Sequence, residues 1–173
     1  MKSVLISIQP KWCEKIASGK KTIEVRKTAP KEVPFKCYIY ETNGQYIKFT
    51  HGALTKYGYG RGKVIGEFIC DKVATYPRNY EFGYEISENE FNETALTAEQ
   101  FVDYGKGKTL YGWHISDLKI YDKPKELSEF RISCNRKNLC YSCNRFTGKP
   151  WDICNNSITR PPQSWLFVEE VGE

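Results

Sequence analysis

Residues 3–26 read SVLISIQPKWCEKIASGKKTIEVR, and the order of elements inside this stretch decides the fold. The apolar, β-branched run 3–8 predicts a buried strand, cut off before Pro10. Pro10 suits the first turn of a helix in which Trp12, Cys13, Ile16 and Ala17 recur at near-helical spacing, and Gly19 stops it. Residues 21–27, KTIEVRK, then alternate strictly and predict a second strand. On that strand Ile23 and Val25 face the core, while Thr22, Glu24 and Arg26 face the other way. Lys21 stands at the strand's mouth, where its long stem can swing towards Glu24. A lysine, a carboxylate and a guanidinium then meet at one rim. On an open surface such a ladder contributes about 0–1 kcal/mol. In a cleft, the two cations hold ionised a carboxylate that is costly to bury alone.

The remaining chain continues in short, strand-rich units. FKCYIYET (35–42) predicts a third strand, ended by the turn signal Asn43-Gly44. Residues 49–63 carry four glycines without periodicity and predict a mobile loop. KVIGEFICDKVATY (63–76) predicts one long strand with Gly66 as a bulge. LTAEQFVDYG (96–105) predicts a short helix with Thr97 as N-cap and Gly105 as stop. YGWHISDLKIYD (111–122) and SWLFVEE (164–170) predict the last strands. Five or six strands and two short helices imply an α+β chain built on a small, mostly antiparallel barrel.

At 173 residues, 40% hydrophobic and 27% charged, the chain is expected to form one domain over 1–173. The opening MKSVLISIQPKW is too short for a signal h-region, and no segment approaches the ~18 apolar residues of a membrane span. The expectation is a soluble, cytoplasmic protein with no membrane partner. The net charge is +5, but its distribution is uneven. Residues 79–103 hold seven acids and no lysine or arginine, whereas 131–160 hold six basic residues against Asp152. Such polarity either orients an anionic partner or marks two solvated segments.

Gly19, Lys21, Glu24 and Arg26 spell G-x-K-x-x-E-x-R. Together with the lead-in LISIQPKWCEKIASG and the later GWHISDLK, they resemble the ASCH domain family, relatives of the PUA-like RNA-binding barrels. The resemblance covers residues 1 to about 130 and the closing strand 164–170. It implies a PUA-like barrel with a cleft beside the first helix, suited to RNA or a nucleotide. Lys21, Glu24, Arg26, Trp12 and Gln9 are its expected lining, and Arg160, Gln163 and Ser164 its expected border. Some small ASCH proteins are amidohydrolases on N4-acylated cytidine, and others have been connected with cleavage of single-stranded RNA. For an enzyme of that kind Lys21 and Glu24 are the catalytic candidates. Lys21 matches the amidohydrolase lysine, but Glu24 stands where their threonine would fall, with Glu90 or Glu93 as candidates for the glutamate. His51 and His114, far apart in the chain, and the lack of a compact carboxylate cluster give metal-dependent cleavage little support.

Cys134, Cys140, Cys143 and Cys154 follow the spacing C-x5-C-x2-C-x10-C. The C-x2-C knuckle and the polar filling between the cysteines point to a structural zinc site, since so little apolar matter makes no core of its own. The other reading is free or oxidisable thiols. The segment 131–160 is thus expected to be a basic, Cys-rich insert before the last strand, with Tyr141, Phe146 and Trp151 among its cations in a pattern that suits single-stranded nucleic acid. Cys13, Cys37 and Cys70 lie in apolar patterns and are expected as small core residues.

Overall fold

A computed structural model describes residues 1–50, 53–79, 83–133 and 156–171, with the backbone alone over 46–50 and 53–57. Strand β1 (Lys2–Ile8) is an interior strand of the main sheet. It pairs in parallel with β3 (Phe35–Glu41) and antiparallel with β12 (Trp165–Val168). β6 (Lys63–Cys70) and β11 (Ser116–Lys125) complete a five-stranded sheet of order β11-β6-β3-β1-β12. Val4, Ile6 and Ile8 enter one core cluster and Leu5 a second on the opposite face. A strand covered on both faces needs an unbroken apolar run, which is what residues 3–8 supply.

Between β1 and its parallel neighbour β3 lie α1 (Pro10–Ala17) and β2 (Ile23–Arg26). Pro10 occupies the first turn of α1, and Cys13 and Ile16 pack into the cluster of Val4, Ile6 and Ile8. Gly19, at φ 72°, turns the chain after the helix. β2 then joins a three-stranded sheet of order β2-β10-β7, made with β7 (Val73–Tyr76) and β10 (Leu110–His114). Trp113, fully buried, stands edge-on to Phe35 at 5.1 Å between ring centroids and ties the two sheets together.

Three sequence expectations are corrected here. The long strands 63–76 and 111–122 each break in two, into β6 and β7 and into β10 and β11. Both breaks lie at one corner, where His114 N–H donates to Lys72 O (3.0 Å) and Ile115 N–H to Thr22 O (2.9 Å). Period-2 alternation persists through such a corner, so sequence does not reveal it. Residues 49–63 are mainly a hairpin rather than a loop: β4 (Gln45–Thr50) pairs with β5 (Ala53–Tyr59), and Lys48 faces Lys56 in the register. The glycines there concealed the alternation. No closed barrel is formed among the described residues; the two sheets stay separate and the β1–β3 pair is parallel. The bulge is where it was expected, since Gly66 pairs with Ile39 and Val64 with Tyr40, leaving Ile65 as the extra residue.

Besides α1, the described residues form α2 (Glu88–Thr94), which the sequence reading lacked, and α3 (Ala98–Gly105). A short ribbon, β8 (Arg78–Asn79) with β9 (Gly83–Tyr84), precedes them. Thr97 caps α3 through a complete capping box with Gln100. The helix stops one residue later than expected, at Lys106 in the left-handed region. Gly105 serves packing instead: a Cβ there would lie 1.8 Å from the Tyr84 hydroxyl. No described helix is long and apolar enough to cross a membrane.

Candidate functional site: a buried lysine–glutamate–arginine cluster

The charged strand does not face solvent. All four residues of β2 are buried, and Lys21, Glu24 and Arg26 are 2%, 6% and 8% exposed. Lys21 does swing onto the face of Glu24, with its Nζ 3.3 Å from Glu24 Oε2. Arg26 Nη2 lies 3.0 Å from Glu24 Oε1, so each carboxylate oxygen has one cation. Burial excludes the surface ladder, because charges this far from water need partners on all sides.

Those partners are backbone carbonyls. Lys21 Nζ donates to Ile23 O (2.8 Å) and Thr94 O (2.7 Å). With Glu24 this uses all three ammonium protons. Arg26 Nη2 also donates to Ser7 O (2.6 Å), tying β2 to the end of β1. Arg26 Nε is buried without a hydrogen-bond partner among the described residues. Desolvation lowers the Lys21 pKa, while the Glu24 charge opposes the shift.

Lys21 also fixes a remote wall. Thr94 O closes α2, and Lys15 Nζ donates to the next carbonyl, Ala95 O, at 2.9 Å. The last turn of α2 carries no basic residue of its own, so two lysines from the other side of the site complement its carbonyl end. This holds α3 beside the cluster, where Leu96, Gln100, Asp103 and Tyr104 line a cavity of about 320 Å³. Across it stand Trp12, Gln9, Lys11 and the three charged residues. Three ammonium groups approach the Trp12 ring: Lys11 at 4.6 Å, Lys15 at 4.8 Å and Lys21 at 5.5 Å from its centroid. Burial raises the Tyr104 phenol, against the pull of Arg26. The first turn of α1, next to Lys11, has no acidic residue.

Of the sequence candidates, Gln9, Trp12, Lys21, Glu24 and Arg26 come together around this cavity. Arg160 and Gln163 are exposed and are not among its lining residues. Segment 162–164 touches the site's edge by its backbone: Ser7 Oγ donates to Pro162 O (2.7 Å) and Ser7 N–H to Ser164 O (3.0 Å). Glu90 faces Ser87, Lys72 and His114 instead of the cavity, and Glu93 accepts from Thr22 N–H with its backbone carbonyl. Asp103 and Tyr104 escaped the sequence reading; their spacing from Gln100 on α3 is the signal that could have found them. Cys134, Cys140, Cys143 and Cys154, like His51, lie outside the described residues, and among those described no group of three or more His, Cys, Asp or Glu is placed to hold a metal. Cys13, Cys37 and Cys70 are buried and unpaired, as expected.

No protein-family model and no curated protein matches the chain. Solved structures do. The crystal structure of ASCH from Zymomonas mobilis is 20% identical with a TM-score of 0.57, over 98% of this chain and 89% of that one. Its serine-to-alanine mutant is 19% identical with a TM-score of 0.58 over the same shares. Its tyrosine-to-phenylalanine mutant is 22% identical with a TM-score of 0.52, over 73% and 77%. With nearly the whole length matched in two of these structures, the chain has the ASCH fold.

Proposed function

We propose that this protein binds RNA or a nucleotide, seating one nucleoside in the cavity beside Lys21, Glu24 and Arg26. The observation that carries the reading is a carboxylate paired with two buried cations at a cavity with aromatic walls. Glu24 offers acceptors to an amino or ring N–H group, the Gln9 and Gln100 amides offer both donors and acceptors, and Trp12 and Tyr104 offer flat faces. A cavity of about 320 Å³ lies at the small end of the range typical for small-ligand sites, roughly 300–1,000 Å³. Phosphate falls to Lys11 at the rim, because Lys11 is exposed whereas Lys21 and Arg26 are buried against Glu24 and backbone carbonyls.

The second reading is a hydrolase acting on a modified nucleoside or on single-stranded RNA, with Lys21 and Glu24 as its working pair. The lowered pKa of Lys21 favours it, since a neutral amine is a base or nucleophile. Against it stand the three acceptors around Nζ, which suit an ammonium and leave no lone pair for a substrate. Glu24, in place of the threonine that the amidohydrolase resemblance calls for, weighs the same way. The cysteine quartet is proposed as a structural zinc site on its spacing, holding a basic insert that adds a second contact to the strand.

Fluorescence anisotropy of a labelled single-stranded RNA across a salt series tests the main reading. Binding is expected to weaken steeply with salt, with a log–log slope reduced by about 0.7 in Lys11→Gln and affinity lowered in Trp12→Ala by about 1–3 kcal/mol. Affinity that ignores salt, or no binding at low salt, overturns it. Release of product from acylated cytidine by wild type, lost in Lys21→Met, would instead establish the hydrolase.

A further inference from the structure

We propose that the cavity beside Lys21 and a second cavity at the foot of the β4–β5 hairpin form one groove for two consecutive nucleotides of a single RNA strand; this rests on the nucleoside reading of the first cavity. The second cavity, about 550 Å³, is lined by Pro10, Thr42, Asn43, Gly44 and Gln45, and also by Gln9 and Lys11. Gln9 and Lys11 line the first cavity too. The two compartments therefore meet at the start of α1, where an exposed lysine stands between them. A phosphodiester places one negative charge between two bases, and Lys11 occupies the matching position between two cavities.

The compartments differ in chemistry. The first is ionic and aromatic. The second offers the amides of Gln9, Asn43 and Gln45 and the apolar ring of Pro10. An amide presents both a donor and an acceptor, the complement of a base edge. The wall of the second cavity is fixed in place. Thr42 N–H donates to Ile8 O (2.9 Å), Gly60 N–H to Gly44 O (2.8 Å) and Arg61 N–H to Glu41 Oε2 (2.8 Å). The chain returning from the hairpin presses on this wall so closely that glycine is needed twice. A Cβ on Gly60 would lie 1.8 Å from Thr42 O and 2.6 Å from Pro10 Cγ, and one on Gly62, at φ +65°, 2.3 Å from Asn43 Oδ1. A polar surface held this firmly is preorganised for a ligand.

Isothermal titration of the full chain with the ribonucleoside 3′- and 5′-monophosphates, and then with the homodinucleoside monophosphates of RNA, tests the groove. The best dinucleotide is expected to bind about tenfold or more tighter than the best mononucleotide, the gain of one or two added hydrogen bonds. Gln45→Ala, at an exposed residue of the second cavity alone, is expected to remove most of that gain and leave mononucleotide affinity unchanged. A dinucleotide that binds no tighter, or a gain that survives Gln45→Ala in full, refutes the groove while the first-cavity reading stands. If neither a mononucleotide nor a dinucleotide binds, the nucleoside reading fails and the groove falls with it.

Discussion

Replacing Glu24 by glutamine keeps the shape of the side chain and removes the one negative charge between two buried cations. The distances are 3.3 Å to Lys21 Nζ and 3.0 Å to Arg26 Nη2. At an effective dielectric of about 20, each attraction has an upper bound of about 5 kcal/mol. Desolvation of three ions offsets most of that sum in the wild type. In Glu24→Gln the desolvation remains and the attraction is lost, so a destabilisation of about 3–5 kcal/mol is expected, the cost of an uncompensated buried charge. The variant should also respond differently to pH. Without Glu24 the charge that opposes the desolvation lowering the Lys21 pKa is gone. Unfolded lysine then binds protons that the folded chain refuses, so stability rises with pH and the penalty shrinks over the range below the ordinary lysine pKa of about 10.4. Urea unfolding of wild type, Glu24→Gln and Glu24→Gln/Lys21→Met across that range measures both effects. The double variant is expected to recover part of the loss, since one of the two stranded cations is gone. A penalty below about 1 kcal/mol that does not change with pH is what an exposed ion pair gives, and it would refute the buried cluster.

Further outcomes are expected elsewhere in the chain. Burial raises the thiols of Cys13, Cys37 and Cys70, that of Cys70 to about 12, whereas unfolded thiols ionise near about 8.5. The unfolded chain therefore sheds protons first and stability falls as pH rises above that value, with Lys21 opposing; Cys37→Ala should reduce the slope by about 1.4 kcal/mol per pH unit in urea titrations, and an unchanged slope refutes the assignment. Gly60→Ala drives a Cβ against a backbone oxygen and should cost about 1–3 kcal/mol, lowering Tm by several degrees. Gly44→Ala, where a Cβ meets nothing within 4 Å, should leave Tm nearly unchanged, and equal effects of the two would refute the close approach. Elemental analysis of protein purified without added metal should find about one zinc per chain, lost in Cys140→Ser/Cys143→Ser; a metal-free wild type that folds and binds RNA normally refutes the zinc site.

The part of the fold that lies in 3–26 was legible because each element there follows its own period, with Pro10 and Gly19 as punctuation. The triad was legible for the same reason, since alternation fixes the side of Glu24 and Arg26. Its burial was not, because the cover comes from α2 and α3. ENEFNET, the whole of α2, has Phe91 as its one large apolar residue, so no apolar face announces a helix. Asp103 and Tyr104 become part of the site through the turn of α3 and through two lysines gripping carbonyls at 94 and 95, contacts that local pattern does not encode. The hairpin at 45–59 was hidden by its glycines. Two of the neighbouring glycines, 60 and 62, are the ones the wall of the second cavity requires.

The reach of Lys21 bears on the order in which the molecule is assembled. Its carboxylate partner is three residues away and the Arg26–Ser7 contact closes nineteen, whereas the bond to Thr94 closes seventy-three. Going from nineteen to seventy-three residues adds about 1 kcal/mol of closure entropy. By closure entropy alone the bond to Thr94 is the last of the three to form, and residues 88–105 must be in place before the ammonium is roofed. In the folded chain the carbonyl that receives the Lys21 ammonium also anchors the wall of the cavity, so the charge is dehydrated only where that wall is complete.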